Sequence, residues 1–250
     1  MSLLSGEMVS YVVRPGDTAY RIAQRFGTTV PALAAANPSV NLNNLSIGQV
    51  LTVVQSRKAP SAANNMVMGI TRSQLELNNT MRTLWEQHAF LTRMVISAMV
   101  FDQPDVDELT ARLLRNPKDF GRALTPFYGE KTAAEFAGLL TEHLELAAQM
   151  ITAVKAGESN TAQQAETDWY ANADAIAALL ASINPYWSER VWKEMLHHHL
   201  RLVKDEAVAL LAEQYEQAIT ILDELEQQAL TMSDLMTAGI IKQFPVKFTK

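Results

Sequence analysis

Apolar residues keep two different spacings along this chain, and the change between them divides it. Between residues 10 and 53 two short runs, Tyr11-Val12-Val13 and Val50-Leu51-Thr52-Val53, have the length and bounding turns of strands. Two helical patterns lie between them. Gly16-Asp17-Thr18 opens the first, with Asp17 or Thr18 as its N-cap, and Ala19, Ile22, Ala23 and Phe26 form its apolar face before Gly27 ends it. The second begins at Thr29, carries Pro31 in its first turn, where proline costs no hydrogen bond, and presents Leu33 and Ala36 before stopping at Asn37-Pro38. The spacing predicts strand, helix, helix, strand over 10–54, a small α+β module.

Residues 55–72 have no sustained period and are rich in Ser, Ala, Asn and Pro, so they read as a linker. Beyond it glycine and proline are sparse and apolar residues recur at three and four. Helices are expected over 73–101, 131–156, 161–183 and from 187 onward, with shorter helical pieces between Pro104 and Pro126. Breaks fall at Asp102-Gln103-Pro104, Gly129, Gly157 and Asn184-Pro185. The domain over 73–248 is therefore predicted to be an all-α, up-down bundle of the four-helix, ferritin-like kind. Its last helix, if continuous to 240, would be about 80 Å long, roughly twice its neighbours. It must bend back over residues 104–127 or project as a homodimer seam. The near-3.5 spacing of Leu211, Tyr215, Ala218, Leu222, Leu225, Ala229, Met232 and Met236 suits either.

A few polar residues fall in phase with the apolar stripes. His88 lies in the series Met81, Leu84, Leu91, Val95; His143 in Phe136, Leu140, Ala147, Met150. Asn172 sits between Trp169 and Ile176, and His199 between Met195 and Leu202, whereas His197 and His198 are rotated away. Each of the four follows a large apolar residue by three positions, a weak repeat, and each stands about 18 Å from its helix ends, so they are expected to meet. Imidazoles converging from three helices suit a transition metal such as zinc or iron, with His88, His143, His199 and Asn172 as the candidate set. The same residues could instead hydrogen-bond to one another and to enclosed water as a polar layer that fixes helix register. Glu206 is the one carboxylate on the core stripe, and Arg93 or Tyr128 could donate to it.

Among 250 residues the formal net charge is −6 with no Lys/Arg-rich stretch, which excludes the electrostatic footprint of nucleic-acid binding. There is no cysteine, so disulfides, thiolate metal sites and cysteine nucleophiles are absent. No stretch is apolar for long enough to span a membrane, and MSLLSGEMVS lacks the basic and apolar regions of a signal peptide. Cytoplasmic synthesis with later assembly, or a leader already removed, is expected. No G-x-S-x-G, H-E-x-x-H, P-loop or dinucleotide glycine fingerprint occurs, and the lone Glu-x-x-His, Glu194 to His197, points off the core face. Catalysis has no motif behind it, and whether the chain is an enzyme stays open.

The stretch YVVRPGDTAYRIAQRFGTTVPALAAANPSVNLNNLSIGQVLTV resembles LysM domains from end to end. The Gly-Asp-Thr turn, Ile22-Ala23, Leu33, Asn37-Pro38, Leu45, Gly48-Gln49 and Leu51 all fall in that register. The resemblance implies two strands packed on two helices and a shallow groove for N-acetylglucosamine units of peptidoglycan or chitin. Carried over by position, the groove would use Gly16, Asp17, Thr18, Ala19 and Tyr20 on one side and Asn37, Pro38, Ser39 and Val40 on the other. Ala19 departs from the leucine usual in that family. Asp17, Thr18 and Asn37-Pro38 could equally serve only to start and stop helices.

Residues 80–248 also resemble a group of small bacterial all-α proteins of uncertain function, through Trp-x-x-His, Leu-Leu-x-x-His, Trp-x-x-Asn-Ala-Asp and Met-Leu-x-x-His. This second resemblance implies no activity. Two functions are therefore expected: a non-catalytic cell-wall or spore-envelope protein held to glycan by its N-terminal module, or a wall-localised bundle that stores, senses or uses a metal.

Overall fold

A computed structural model describes residues 6–14, 17–42, 45–56 and 70–249. The chain divides into two compact units, Met1–Val67 and Met68–Lys250. Most of the expected linker, residues 57–69, lies outside the described residues.

In the first unit β1 (Gly6–Val12) pairs antiparallel with β2 (Val50–Ser56), with Val9 opposite Val53 and Tyr11 opposite Leu51. Successive strand side chains alternate faces, so Tyr11, Leu51 and Val53 turn to one side. There they close on Ile22 and Leu33, from α1 (Ala19–Arg25) and α2 (Val30–Ala36). Both helices start as their sequences require. Thr18 Oγ1 accepts from the Arg21 N–H and Thr29 Oγ1 from the Ala32 N–H, so the first N-cap is Thr18 and Asp17 is left for another task. Gly27, at φ +63°, takes the left-handed conformation that ends α1.

The second unit is helical: α3 (Arg72–Val100), α4 (Val106–Leu113), α5 (Asn116–Lys155), α6 (Ser159–Ile183), α7 (Glu189–Leu211) and α8 (Tyr215–Gln243), then a short 3-10 turn, Pro245–Phe248. Thr71 and Gln74 form a reciprocal capping box that fixes the start of α3. Helix α5 is broken at Gly129 (φ 79°, ψ 165°), three residues after Pro126, which separates a short first segment from the expected long helix.

The bundle has five long helices where four were expected. The stretch from 187 neither continues to 240 nor projects. It stops at Ala212–Gln214, where Glu213 adopts φ +57°, and α8 turns back to pack on α3 and α7 rather than over 104–127. Helix α3 thus lies between α5 and α8, with α6 and α7 completing the circuit. One close approach locks this return. Trp187, in the α6–α7 turn, donates its indole N–H to the Leu235 carbonyl at 3.2 Å, and a Cβ on Gly239 would clash with its ring nitrogen.

Candidate functional site

Two groups of residues carry chemistry, one in each unit. In the small unit, Thr18, Tyr20, Pro38 and Ser39 are exposed, Tyr20 at 66 % of its surface. Gly16 lies outside the described residues. Ala19 is buried and Val40 packs against the apolar core, so neither side chain stands free.

Asp17 and Asn37 are held by the fold itself. The Asp17 carboxylate accepts from the Tyr11 hydroxyl at 2.5 Å and from the Arg14 N–H at 2.9 Å, and pairs with Arg25 at 3.4 Å. Arg25 also donates to the Tyr11 hydroxyl, and the Tyr11 hydrogen bond holds the Asp17 carboxyl below the usual carboxylate range. The Asn37 amide donates to the carbonyls of Leu33 (2.8 Å) and Thr52 (2.7 Å), and its Oδ1 accepts from the Thr52 N–H at 2.8 Å. It staples the end of α2 to β2 and has no donor left for a ligand.

In the bundle, His88, His143, Asn172 and His199 are all buried, as their helical phase implies, while His197 pairs with Asp174 at 2.7 Å and His198 lies 3.4 Å from Glu224. The arrangement, however, is three clasps. His88 Nδ1 meets Asn116 Oδ1 at 3.3 Å, His143 Nδ1 meets Asn172 Oδ1 at 3.1 Å, and His199 Nδ1 meets Gln228 Oε1 at 2.9 Å. Each amide nitrogen then donates to the carbonyl four residues before its histidine: Asn116 to Leu84 (3.0 Å), Asn172 to Leu139 (3.1 Å), Gln228 to Met195 (2.8 Å). Because an amide oxygen only accepts, every Nδ1 must carry the proton, and every Nε2 is left with a lone pair.

Asn172 is therefore the clasp of His143 and not a fourth equivalent of the histidines; its nitrogen also donates to Glu142 at 2.9 Å. Asn116 and Gln228 were not singled out from sequence. The signal was present in the spacing, since the histidines lie 55 and 56 residues apart and the amides 56 and 56. The bundle is a threefold repeat of one helical hairpin, with a histidine on its first limb and an amide on its second.

The rings lie close together. His88 and His199 have centroids 5.8 Å apart, and a proton on either would lower the pKa of His143. Burial pushes His88 down to about 4 and His143 and His199 down to about 3, so all three are neutral at ordinary pH. Trp85 packs edge-on to His88 at 5.9 Å, and Trp169 lies against His143 at 5.4 Å. Among the described residues the indole N–H groups of Trp85, Trp169 and Trp192 have no acceptor. Nor do any three His, Cys, Asp or Glu side chains among these residues already stand at coordination spacing.

Glu206 lies 2.9 Å from Arg93 Nε, and burial raises its carboxyl to about 7 despite that guanidinium. Tyr128 is not its partner. The Tyr128 hydroxyl instead donates to Gln243 at 3.0 Å and accepts from Asn184 at 2.8 Å, tying the α6 terminus to α8. No helix among the described residues is long and apolar enough to cross a membrane.

Comparison with known proteins agrees with the small unit. Residues 11–54 match the LysM domain family and form a LysM domain. Over 50 residues, 20 % of this chain, the sequence is 40 % identical to a secreted LysM effector, ELP2, of Colletotrichum higginsianum. That match covers 28 % of the fungal protein. No solved structure matches the chain. A LysM domain implies binding of N-acetylglucosamine-containing glycan, and nothing in these comparisons speaks to the helical unit.

Proposed function

We propose that this is a non-catalytic protein of the cell wall or spore envelope, held to peptidoglycan or a chitin-type polymer by residues 11–54 and carrying its helical bundle as cargo. The observation that supports it most is a LysM fold whose helix starts, left-handed Gly27 and Gly48 and internal polar staples are in place, with Tyr20, Pro38 and Ser39 exposed. Glycan recognition needs little more: exposed turn amides for the N-acetyl group and a ring on which a sugar face can rest. Tyr20 supplies such a ring, and it makes up for part of the apolar lining lost where Ala19 replaces leucine.

A shallow groove buries little area, so one module should hold short oligomers weakly and long polymer better. The test is sedimentation of the full chain with insoluble peptidoglycan and with chitin. Binding to either, reduced about tenfold in Tyr20→Ala with the fold intact, is the expected result. Sedimentation no greater than that of a chain deleted for residues 1–56 would overturn the reading.

A further inference from the structure

We propose that His88, His143 and His199 bind one divalent transition-metal ion of the zinc type through their three Nε2 atoms. The three clasps carry this assignment. Three separate amides, at the same place in three hairpins, spend their oxygens on holding Nδ1–H and their nitrogens on a backbone carbonyl. This is the outer-shell wiring that metal-ligating histidines need, since it fixes the tautomer and the ring and leaves Nε2 basic. A register-setting polar layer needs no such uniformity, because any donor would satisfy any ring.

The wiring leaves an imbalance at the centre of the bundle. Each ring is 2–3 % exposed and spends its Nδ1 on an amide oxygen, which leaves three basic Nε2 atoms inside the bundle. A single water can donate only two protons, whereas a cation meets all three lone pairs at once. The unpartnered indole N–H groups of Trp85, Trp169 and Trp192, in the same core, are an independent sign of a polar occupant. An oxygen ligand in the fourth position of the ion would give such donors an acceptor.

The donor set selects the ion. Imidazoles without a carboxylate suit zinc and its first-row neighbours and not magnesium or calcium. Two imidazoles sharing a tetrahedral ion, with bonds of about 2.1 Å, place their centroids about 5.3 Å apart. The His88–His199 separation is 5.8 Å, and no three such side chains among the described residues stand at coordination spacing, so binding must draw these two rings in by about half an ångström and bring His143 to meet them.

The test uses the full chain, purified without an affinity resin, stripped with chelator and titrated with Zn²⁺ alone and then with Co²⁺ alone. One equivalent of either should bind, raise the melting temperature, and for Co²⁺ give the visible absorption of a tetrahedral nitrogen site. Asn172→Ala and Gln228→Ala should weaken binding about 10- to 100-fold. His88→Gln should abolish it, and His197→Ala and His198→Ala, at half-buried positions off the core face, should leave it unchanged. Wild-type protein that neither binds an equivalent nor melts higher overturns the proposal without reference to any variant, and leaves a watered polar layer. Binding that His197→Ala or His198→Ala removes would overturn it equally. The glycan reading is untouched by either outcome, since no glycan enters the titration.

Discussion

Replacing Asn37 by alanine should abolish glycan binding by unfolding the LysM unit, not by removing a sugar contact. The side chain makes three hydrogen bonds at 2.7–2.8 Å, and its loss strands the Leu33 and Thr52 carbonyls and the Thr52 N–H at the junction of α2 and β2. At about 1 kcal/mol for each bond the cost is about 3 kcal/mol. A unit of this size holds a total of only about 2–7 kcal/mol, taking roughly 0.05–0.15 kcal/mol per residue. The substitution therefore removes from about two fifths to all of the margin. The helical unit, with its separate core, should be unaffected. Amide NMR of the full chain reads both at once: resonances of residues 8–54 should collapse toward random-coil shifts while those of 72–243 stay in place. An N37A protein with native dispersion throughout and binding nonetheless lost would refute the reasoning and make Asn37 a ligand contact.

Gly239→Ala should destabilise the bundle by about 2–3 kcal/mol, with overpacking and the strained Trp187 bond outweighing the roughly 1 kcal/mol that alanine gains in a helix. In a Trp187→Ala background the same change should cost nothing, and urea unfolding of the four proteins measures the coupling. Metal-free protein should lose stability as the pH falls from about 6.5 toward 4. The unfolded chain then takes up protons on His88, His143 and His199, whose folded values are pushed down to about 4, 3 and 3, and denaturation at stepped pH checks it. Glu206 works in the opposite sense. Its carboxyl, raised to about 7, favours the fold below about 4.5, and that favour is lost as the pH rises through 7, so Glu206→Gln should gain about 3 kcal/mol on wild type between pH 5 and 8.

What the sequence disclosed and what it hid follow one physical division. Features set by the local chain were legible: the caps at Thr18 and Thr29, the stops at Gly27 and Asn184-Pro185, the break at Gly129, and the inward phase of the three histidines. Features set by a distant partner were not. Nothing around Glu213 announces a turn, because no glycine or proline is there, and the residue holds φ +57° under the packing of α8 against α3 and α7. Asp17 looks like a cap or a groove residue until Tyr11 and Arg25 are seen to hold it. Asn116 and Gln228 were hidden for a different reason. Their neighbours carry no shared motif, and only the 56-residue interval relates them.

The hairpin repeat also bears on how the bundle assembles. Each clasp joins residues only 28 or 29 apart, so closing one costs the same modest loop entropy three times over, and no clasp waits on another. The seam between α3 and α8 is different, for it joins the two ends of the helical unit, as the Arg82–Asp234 pair, 152 residues apart, makes plain. Folding should accordingly be quick within hairpins and paced by this one late closure. Until it happens, the α3 stripe that α8 covers stays open, and aggregation of a nascent or damaged chain would begin there.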